Sequence, residues 1–283
     1  MALDLSIIIV SWNTRADLAR CLESVRPALA GLAAETVVVD NGSHDGSGRM
    51  VRQRFPWVRL IATGANLGFA AGNNVALAQT TGRYRLLLNP DTVVHGDALA
   101  QLVAYADHEP RVGLLGPRLL NADGSLQHSC RRFPTLPALL FRNTLLGRLW
   151  PNNPYTRDYL MGDWTHDGPR PVDWLSGACL LARSEMLEQL GGLDERYFMY
   201  VEDMDWCRRA WAAGWQVTYL PSAVVTHAMG RASDQQPVAM VRAHHVSMVK
   251  YVRRHYGPAA AALAAPLIGL RCLLQLSPLG PRR

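Results

Sequence analysis

Lysine is almost absent: of the 29 basic residues in this 283-residue chain, 28 are arginine and Lys250 stands alone. A P-loop needs Gly-Lys-Ser/Thr and a Schiff-base enzyme needs a lysine within its body, so both classes drop out. Cysteine is scarce and scattered. Cys21, Cys130, Cys179, Cys207 and Cys272 are odd in number and form no C-x-x-C pair, which argues against a disulfide framework or a zinc site and for a reducing compartment. Glycine is missing from the first strand-to-helix turn, Ser11-Trp12-Asn13-Thr14, and Gly46-x-Gly48 continues to Val51, so no dinucleotide fingerprint is present. The N-terminal apolar run ends at Val10 and carries no basic residue before it, too little for a signal peptide, so a cytoplasmic location is expected.

Charge is sparse but uneven. Charged residues make up 18% of the chain against 49% hydrophobic, a globular composition of one large domain or a domain with an appendage. All 23 acids lie before residue 241, and seven of the basic residues lie after it, so the formal net charge of +6 divides into about −1 for the body and +7 for the last 43 residues. A nucleic-acid binder spreads its basic footprint over the folded domain, so no nucleic-acid partner is expected, and an acidic surface facing the tail is.

The chain contains alternating strand and helix patterns. Leu5 to Val10 is a continuous apolar, β-branched run of the kind buried on both faces of a parallel sheet. Thr36 to Val39, Val58 to Ile61 and Tyr84 to Leu88 repeat it, with helical stretches at Thr14 to Leu32, Gly48 to Phe55, Gly68 to Gln79 and Asp97 to His108. This predicts an α/β doubly wound half. From about Val112 the pattern shifts to strands at Val112 to Leu119, Ala178 to Ala182 and Gln216 to Tyr219. Between Arg131 and Pro171 lies a Pro-, Asn-, Trp- and Tyr-rich segment too long for a passive loop. Residues 1–236 are expected as one domain. Residues 237–283 form a C-terminal segment: a basic amphipathic helix from Pro237 to Tyr256, then 13 uncharged residues from Pro258 to Leu270 that suit an interfacial segment, or a terminal helix packed on the body.

Ligands of open α/β sheets sit beyond the carboxyl ends of the strands, and the residues there are polar. Asp40 after Val37-Val38-Val39 can accept from a base imide or ribose hydroxyl, or cap an Asx-turn to Ser43. Asp91 after Leu88-Asn89-Pro90 is a hard oxygen ligand for a diphosphate-bound cation, or part of a turn; His227 is a second candidate ligand, or a satisfied core histidine. Glu202, Asp203 and Asp205 open a helix and suit its dipole, while Tyr200 and Trp206 beside them would desolvate a carboxylate towards general-base use. Trp174 before Gly177 can stack on a sugar or simply fill the core.

Together, Ser6 to Asn13, Val39-Asp40-Asn41-Gly42-Ser43-x-Asp45-Gly46-Ser47, Asn66-Leu67-Gly68-Phe69-x-x-Gly72-Asn73-Asn74, Leu88-Asn89-Pro90-Asp91, Trp174-x-x-Gly177-Ala178 and Phe198-Met199-Tyr200-x-Glu202-Asp203-x-Asp205 resemble family 2 glycosyltransferases of the GT-A fold, and within them the rhamnosyltransferase-like members. The resemblance spans about residues 4 to 256. It implies a nucleotide-binding half joined to a mixed-sheet acceptor half and inverting transfer of rhamnose from dTDP-rhamnose to a glycan or polyprenyl-linked glycan. Rival readings are hexosyl transfer from a UDP or GDP donor and a non-catalytic sugar-nucleotide binder. Implied roles are nucleotide binding by Ser11, Asn13, Asp40, Asn41, Asn66, Gly68 and Asn73, and ligation of Mn or Mg by Asp91 and His227. Asp203 is implied as catalytic base beside Glu202, and Trp174, Gly177 and Asp205 as contacts to acceptor or sugar. Asn89 stands where the family's Asp-x-Asp motif begins with an acid, which removes one negative charge and leaves metal dependence open. The basic tail implies peripheral contact at the inner face of the cell membrane.

Overall fold

The structure is a computed structural model and describes residues 3–142, 144–228 and 235–277. Four parallel strands, β1 (Leu5–Ser11), β2 (Ala34–Asp40), β3 (Arg59–Ala62) and β4 (Tyr84–Leu88), alternate with helices α1 (Arg15–Ala28), α2 (Ser47–Arg54) and α3 (Phe69–Leu77). Every residue of β1 is buried, because the two faces of the sheet are both covered. Ile7 and Ile9 meet Leu18, Leu22 and Val25 of α1 on one side, whereas Ile8 and Val10 meet Ala70, Ala76 and Leu77 of α3 on the other. Each such side chain contributes roughly 1.5–3 kcal/mol by leaving water, which is why the unbroken apolar run was legible as a central strand.

The second half follows as β5 (Thr92–Val94), α4 (Ala98–His108), β6 (Val112–Leu120), β7 (Leu126–Gln127) and β8 (Cys130–Arg131). Three short helices then occupy the Pro- and aromatic-rich segment: α5 (Leu136–Phe141), α6 (Leu145–Leu149) and α7 (Pro154–Tyr159). Beyond them lie β9 (Arg170–Pro171), β10 (Trp174–Leu175), β11 (Cys179–Arg183), α8 (Ser184–Leu190), α9 (Glu202–Ala212), β12 (Gln216–His227) and α10 (Pro237–Leu276). The main sheet runs β3-β2-β1-β4-β11-β6-β12-β5, with β11 antiparallel to both β4 and β6, so the sheet is mixed as expected. The expected strand at Gln216 to Tyr219 is longer than predicted. Its register shifts between Leu220 and Val224, where Pro221 cannot donate to a ladder, and it then continues to His227.

α10 also departs from expectation. Gly257 at φ 90° breaks it at the predicted junction, but the second segment extends to Leu276 rather than ending near Leu270. Its inner face packs on the body through Ala261 and Ile268, and its outer face exposes Leu263, Leu267, Leu270, Leu273 and Leu274. The first segment packs Met248 and Tyr251 into the core that also holds Met204 and Trp206 of α9.

Asp205 pins this helix. Its carboxylate is fully buried and faces Arg209 at 2.9 Å, His255 at 2.7 Å, Arg254 at 3.4 Å and the Tyr197 hydroxyl at 3.3 Å. Removing one partner of a buried ion pair leaves the others uncompensated. Asp205→Ala is therefore expected to lower unfolding stability by about 3–5 kcal/mol in urea titrations followed by circular dichroism; a loss below about 1 kcal/mol would mean the cluster behaves as surface charge.

Candidate active site

A cavity of about 770 Å³ opens beyond the carboxyl ends of β1 and β4, where the strand order reverses, and extends to α10. Of the candidate residues, Asn41, Asn66, Gly68, Asp91, Trp174, Gly177, Glu202, Asp203 and His227 line it. Ser11, Asn13, Asp40, Asn73 and Asp205 lie outside that lining, for separate local reasons.

Ser11 is fully buried with its Oγ 2.9 Å from Thr14 Oγ1, and it is Thr14, overlooked in the sequence, that reaches the cavity. Asn13 takes a left-handed φ of 51° and ties the first turn to the second. Its N–H donates to Ser43 Oγ at 3.0 Å and its Oδ1 accepts from the His44 N–H at 2.8 Å. Asp40 makes the Asx-turn that was one of its two readings, accepting the Ser43 N–H at 3.0 Å, and a Cβ on Gly48 would come within 2.5 Å of its Oδ2. Asn73 is 1% exposed and donates back to the Phe69 carbonyl at 2.9 Å, so the structure turns it into the base of α3 instead of towards a nucleotide. Asp205 is likewise corrected from a sugar contact to the buried anchor of α10.

Asn41 shapes the loop that Asn66 and Gly68 occupy. Its amide donates to Asn66 Oδ1 and to the Gly68 carbonyl, both at 3.1 Å, and accepts from the Leu67 N–H at 3.0 Å. Gly68 at φ 88° admits no side chain, since a Cβ would fall 2.3 Å from the Phe198 carbonyl that receives the Phe69 N–H. The N-termini of α1 and α3 thus both open on the cavity, through Thr14 and Gly68, and present positive dipole ends to an anion.

At the opposite wall β12 pairs antiparallel with β5, His227 against Thr92, and this ladder brings His227 Nε2 to 3.3 Å from Asp91 Oδ1 and 3.3 Å from Asn89 Nδ2. Gln127 on β7 sets the imidazole. Its Nε2 donates to the His227 carbonyl at 3.1 Å, which leaves its Oε1, 2.8 Å away, to accept from His227 Nδ1–H. Nε2 is left facing Asp91 Oδ1 and Asn89 Nδ2, and Asn89 Oδ1 is buried with no partner. A carboxylate oxygen and an imidazole nitrogen side by side fit two ligands of one divalent cation, and the Asn89 oxygen would join them once the amide is turned over. Among the described residues no cluster of three His, Cys, Asp or Glu side chains exists, so one acid, one imidazole and one amide oxygen are what the chain offers, and a bound diphosphate would have to complete the shell.

The carboxylates stand on a strained turn. Tyr200 at φ 66° and Val201 at φ 75° are consecutive non-glycine residues in the left-handed region, the second of them β-branched, where such a conformation is an outlier. The turn starts α9 so that Asp203 faces the cavity, with Oδ2 accepting the Gly177 N–H at 2.9 Å and Oδ1 accepting the Met204 N–H at 2.8 Å. Burial raises the Asp203 pKa above the ordinary carboxylate value, opposed by those two N–H groups and by Arg131. Burial, and next the charge of Asp203, push Glu202 well above its usual range, and its Oε2 has no partner. The pair thus favours one negative charge over two, and a carboxylate held in this way can accept a proton from a hydroxyl in the cavity. Trp174 is nearly buried, donating to the Arg132 carbonyl at 2.9 Å with the Arg131 guanidinium 4.9 Å from its ring.

The family model for glycosyltransferase like family 2 matches residues 3–244. An N-acetylglucosaminyl-diphospho-decaprenol L-rhamnosyltransferase of Mycobacterium tuberculosis is 36% identical over 265 residues, covering 89% of this chain and 85% of that protein. Rhamnosyltransferase WbbL of Escherichia coli is 28% identical over 188 residues, 63% of this chain and 67% of the relative. Among solved structures, the mannosyltransferase PcManGT of Pyrobaculum calidifontis, in complex with GDP-Man and Mn²⁺, superposes with a TM-score of 0.61 at 18% identity over 98% of this chain and 71% of that one, a likeness of fold. With its polar strand ends, mixed sheet and buried carboxylate gathered around one cavity, this chain belongs to glycosyltransferase family 2 and is an enzyme of the GT-A fold.

Proposed function

We propose that this enzyme transfers rhamnose from dTDP-rhamnose to a diphosphate-linked polyprenol glycan, by a single displacement that inverts the anomeric centre. The observation that carries the chemistry is Asp203, its two oxygens held by the Gly177 and Met204 N–H groups in the cavity that Asp91 and His227 also line. Both relatives are rhamnosyltransferases, and the mycobacterial one acts on an N-acetylglucosaminyl-diphospho-decaprenol, which supports the sugar and the lipid-linked acceptor.

The acceptor hydroxyl attacks the anomeric carbon while its proton passes to Asp203, and the bond from that carbon to the nucleoside diphosphate breaks with its electron pair leaving on the phosphate. The positive ends of α1 and α3 face the leaving group. Asp91, His227 and the Asn89 amide oxygen would hold a divalent cation, which when bound supplies positive charge to the departing diphosphate. Gln127 keeps the His227 lone pair turned to that position. Tyr200 and Phe198 line the cavity beside Asp203 and offer apolar surface to the sugar.

The exposed leucine face of α10, next to the basic tail, would lie on an anionic bilayer and bring the cavity to its acceptor. The helix is long and apolar enough to cross a membrane by composition, with 6% of its apolar window buried. Its proline, its break at Gly257 and its packed inner face support a helix lying along the surface.

Asp203→Asn is expected to cut transfer on the order of 10²-fold or more with donor affinity nearly unchanged, measured with dTDP-rhamnose and competing UDP- and GDP-hexoses. Near-normal turnover would move the base to Glu202, and preference for another donor would replace the sugar assignment. Because the base acts ionised and its pKa is raised by burial, kcat/KM should fall with decreasing pH through an inflection above 3.8; an inflection at or below that value contradicts the role. Gln127→Met should weaken Mn²⁺ binding by about 10- to 100-fold in titrations with dTDP present, as should Asp91→Ala; an unaltered Mn²⁺ isotherm in both would remove the cation from this wall. Replacing Leu263, Leu267 and Leu273 with glutamate should abolish sedimentation with anionic vesicles while leaving the melting temperature intact. A lowered melting temperature with vesicle binding retained would show that this face packs on protein.

A further inference from the structure

Part of the cavity lining carries positive charge that no ion pair of the described residues neutralises. Arg131 from β8, Arg142 from the end of α5 and Arg271 from the second segment of α10 all line the cavity. Among the described residues none of the three has an ion-pair partner. Arg131 Nε and Arg271 Nε are buried without any hydrogen bond, and Arg142 makes its one contact with the Tyr159 hydroxyl at 3.2 Å, its guanidinium 4.8 Å from that ring. Arg142 is lowered to about 10 chiefly by burial, with Arg131 and Arg271 acting on it as like charges, and Arg131 in turn acts on Asp203. These neighbours define a file of three cations that begins beside Asp203 and ends at α10. All three are partly buried, and partly buried guanidinium groups without an ion-pair partner are held at some cost. Three converging on one space, with no acid between them, imply an anion of high charge density, and the planar donor fork suits phosphate oxygens.

The charge also bears on a particular residue. The proposed diphosphate position of the donor is at Asp91, His227 and the helix ends, whereas the arginines are linked to Asp203 through Arg131, and Asp203 is the group the attacking hydroxyl must reach. Around the arginines the lining turns apolar, with Leu139, Met240, Val241 and Met248, and it runs out along the helix that exposes its leucines. An anionic group followed by an apolar chain is an amphiphile.

We propose that Arg131, Arg142 and Arg271 bind the diphosphate of an isoprenyl-diphosphate-linked acceptor, and that Leu139, Met240, Val241 and Met248 receive the first units of its lipid. This rests on the lipid-linked-acceptor reading given above, and it assigns that substrate's anionic group to named residues. The diphosphate would be gripped beside Asp203 and the glycan hydroxyl delivered to it, so acceptors lacking the diphosphate would be held poorly at the same distance from the base.

The test is calorimetric titration of the full chain, its nucleotide site saturated with dTDP and Mn²⁺, against farnesyl diphosphate, inorganic pyrophosphate and farnesol. Farnesyl diphosphate should bind, and bind more tightly than either fragment. Arg142→Gln and Arg271→Gln, which sit on different elements, should each weaken it on the order of tenfold or more, with Arg148→Gln, an exposed arginine outside the cavity, unchanged. Melting curves check that the variants remain folded. Farnesol binding as tightly as farnesyl diphosphate, both cavity variants binding normally, or no binding by the parent would each overturn the assignment. Pyrophosphate binding as tightly as farnesyl diphosphate would make this a site for a free anion and overturn the lipid part. Should dTDP-rhamnose fail as donor while the two variants lose farnesyl diphosphate, the donor reading falls and the arginine site stands.

Discussion

The proposed base, Asp203, must remain able to ionise where burial opposes its charge, and much of the architecture around it bears on that balance. Asp203 is opposed by burial and by Glu202 beside it. Two backbone N–H groups, the start of α9 and the charge of Arg131 act the other way. None of these can be moved independently. Gly177 lies two residues before β11, which starts at Cys179 in register with Leu88 of β4, and the Asn89 N–H donates to the Ala178 carbonyl at 2.8 Å, so the proposed base and the proposed cation ligands are joined through one pair of strands. The left-handed pair Tyr200 and Val201 is the cost of aiming α9 at this point, and it persists because the Phe198 carbonyl is clamped by Phe69 over a glycine.

The parts of this arrangement that the sequence disclosed are those carried by local pattern. β1 and β4 were legible because a strand buried on both faces reads as unbroken apolar residues, and the polar groups after them mark its carboxyl end. Asp205 was misassigned although the helix itself contains the correction: two positions after Asp203, at about 100° per residue, its side chain faces the other side of α9, towards α10. Asn73 has the same explanation within α3. Gln127, Arg142 and Arg271 had no local signal. They stand on a two-residue strand, at the end of a six-residue helix and in an apolar tail, and only the packing of elements distant in sequence brings them to the site. The basic tail could be read as charge, but which arginine turns inward could not.

The cavity holds charge of both signs, and Asn89 makes sense within that balance. Asp91, Glu202 and Asp203 line the cavity together with Arg131, Arg142 and Arg271, and Arg131 acts on Asp203. A second acid at position 89 would add a fourth negative group within a few residues of Asp91 and close to Asp203, raising the pKa of each carboxylate through like-charge repulsion unless a cation were always bound. The amide avoids that. It keeps an oxygen, buried and without a partner, that can face a cation, and it adds no charge when none is present. The Asp91 and His227 wall would then hold a metal weakly alone and firmly with a diphosphate, because the missing negative charge arrives with the donor. In the proposed mechanism the cation and the nucleotide sugar would therefore bind as one unit beside Asp203.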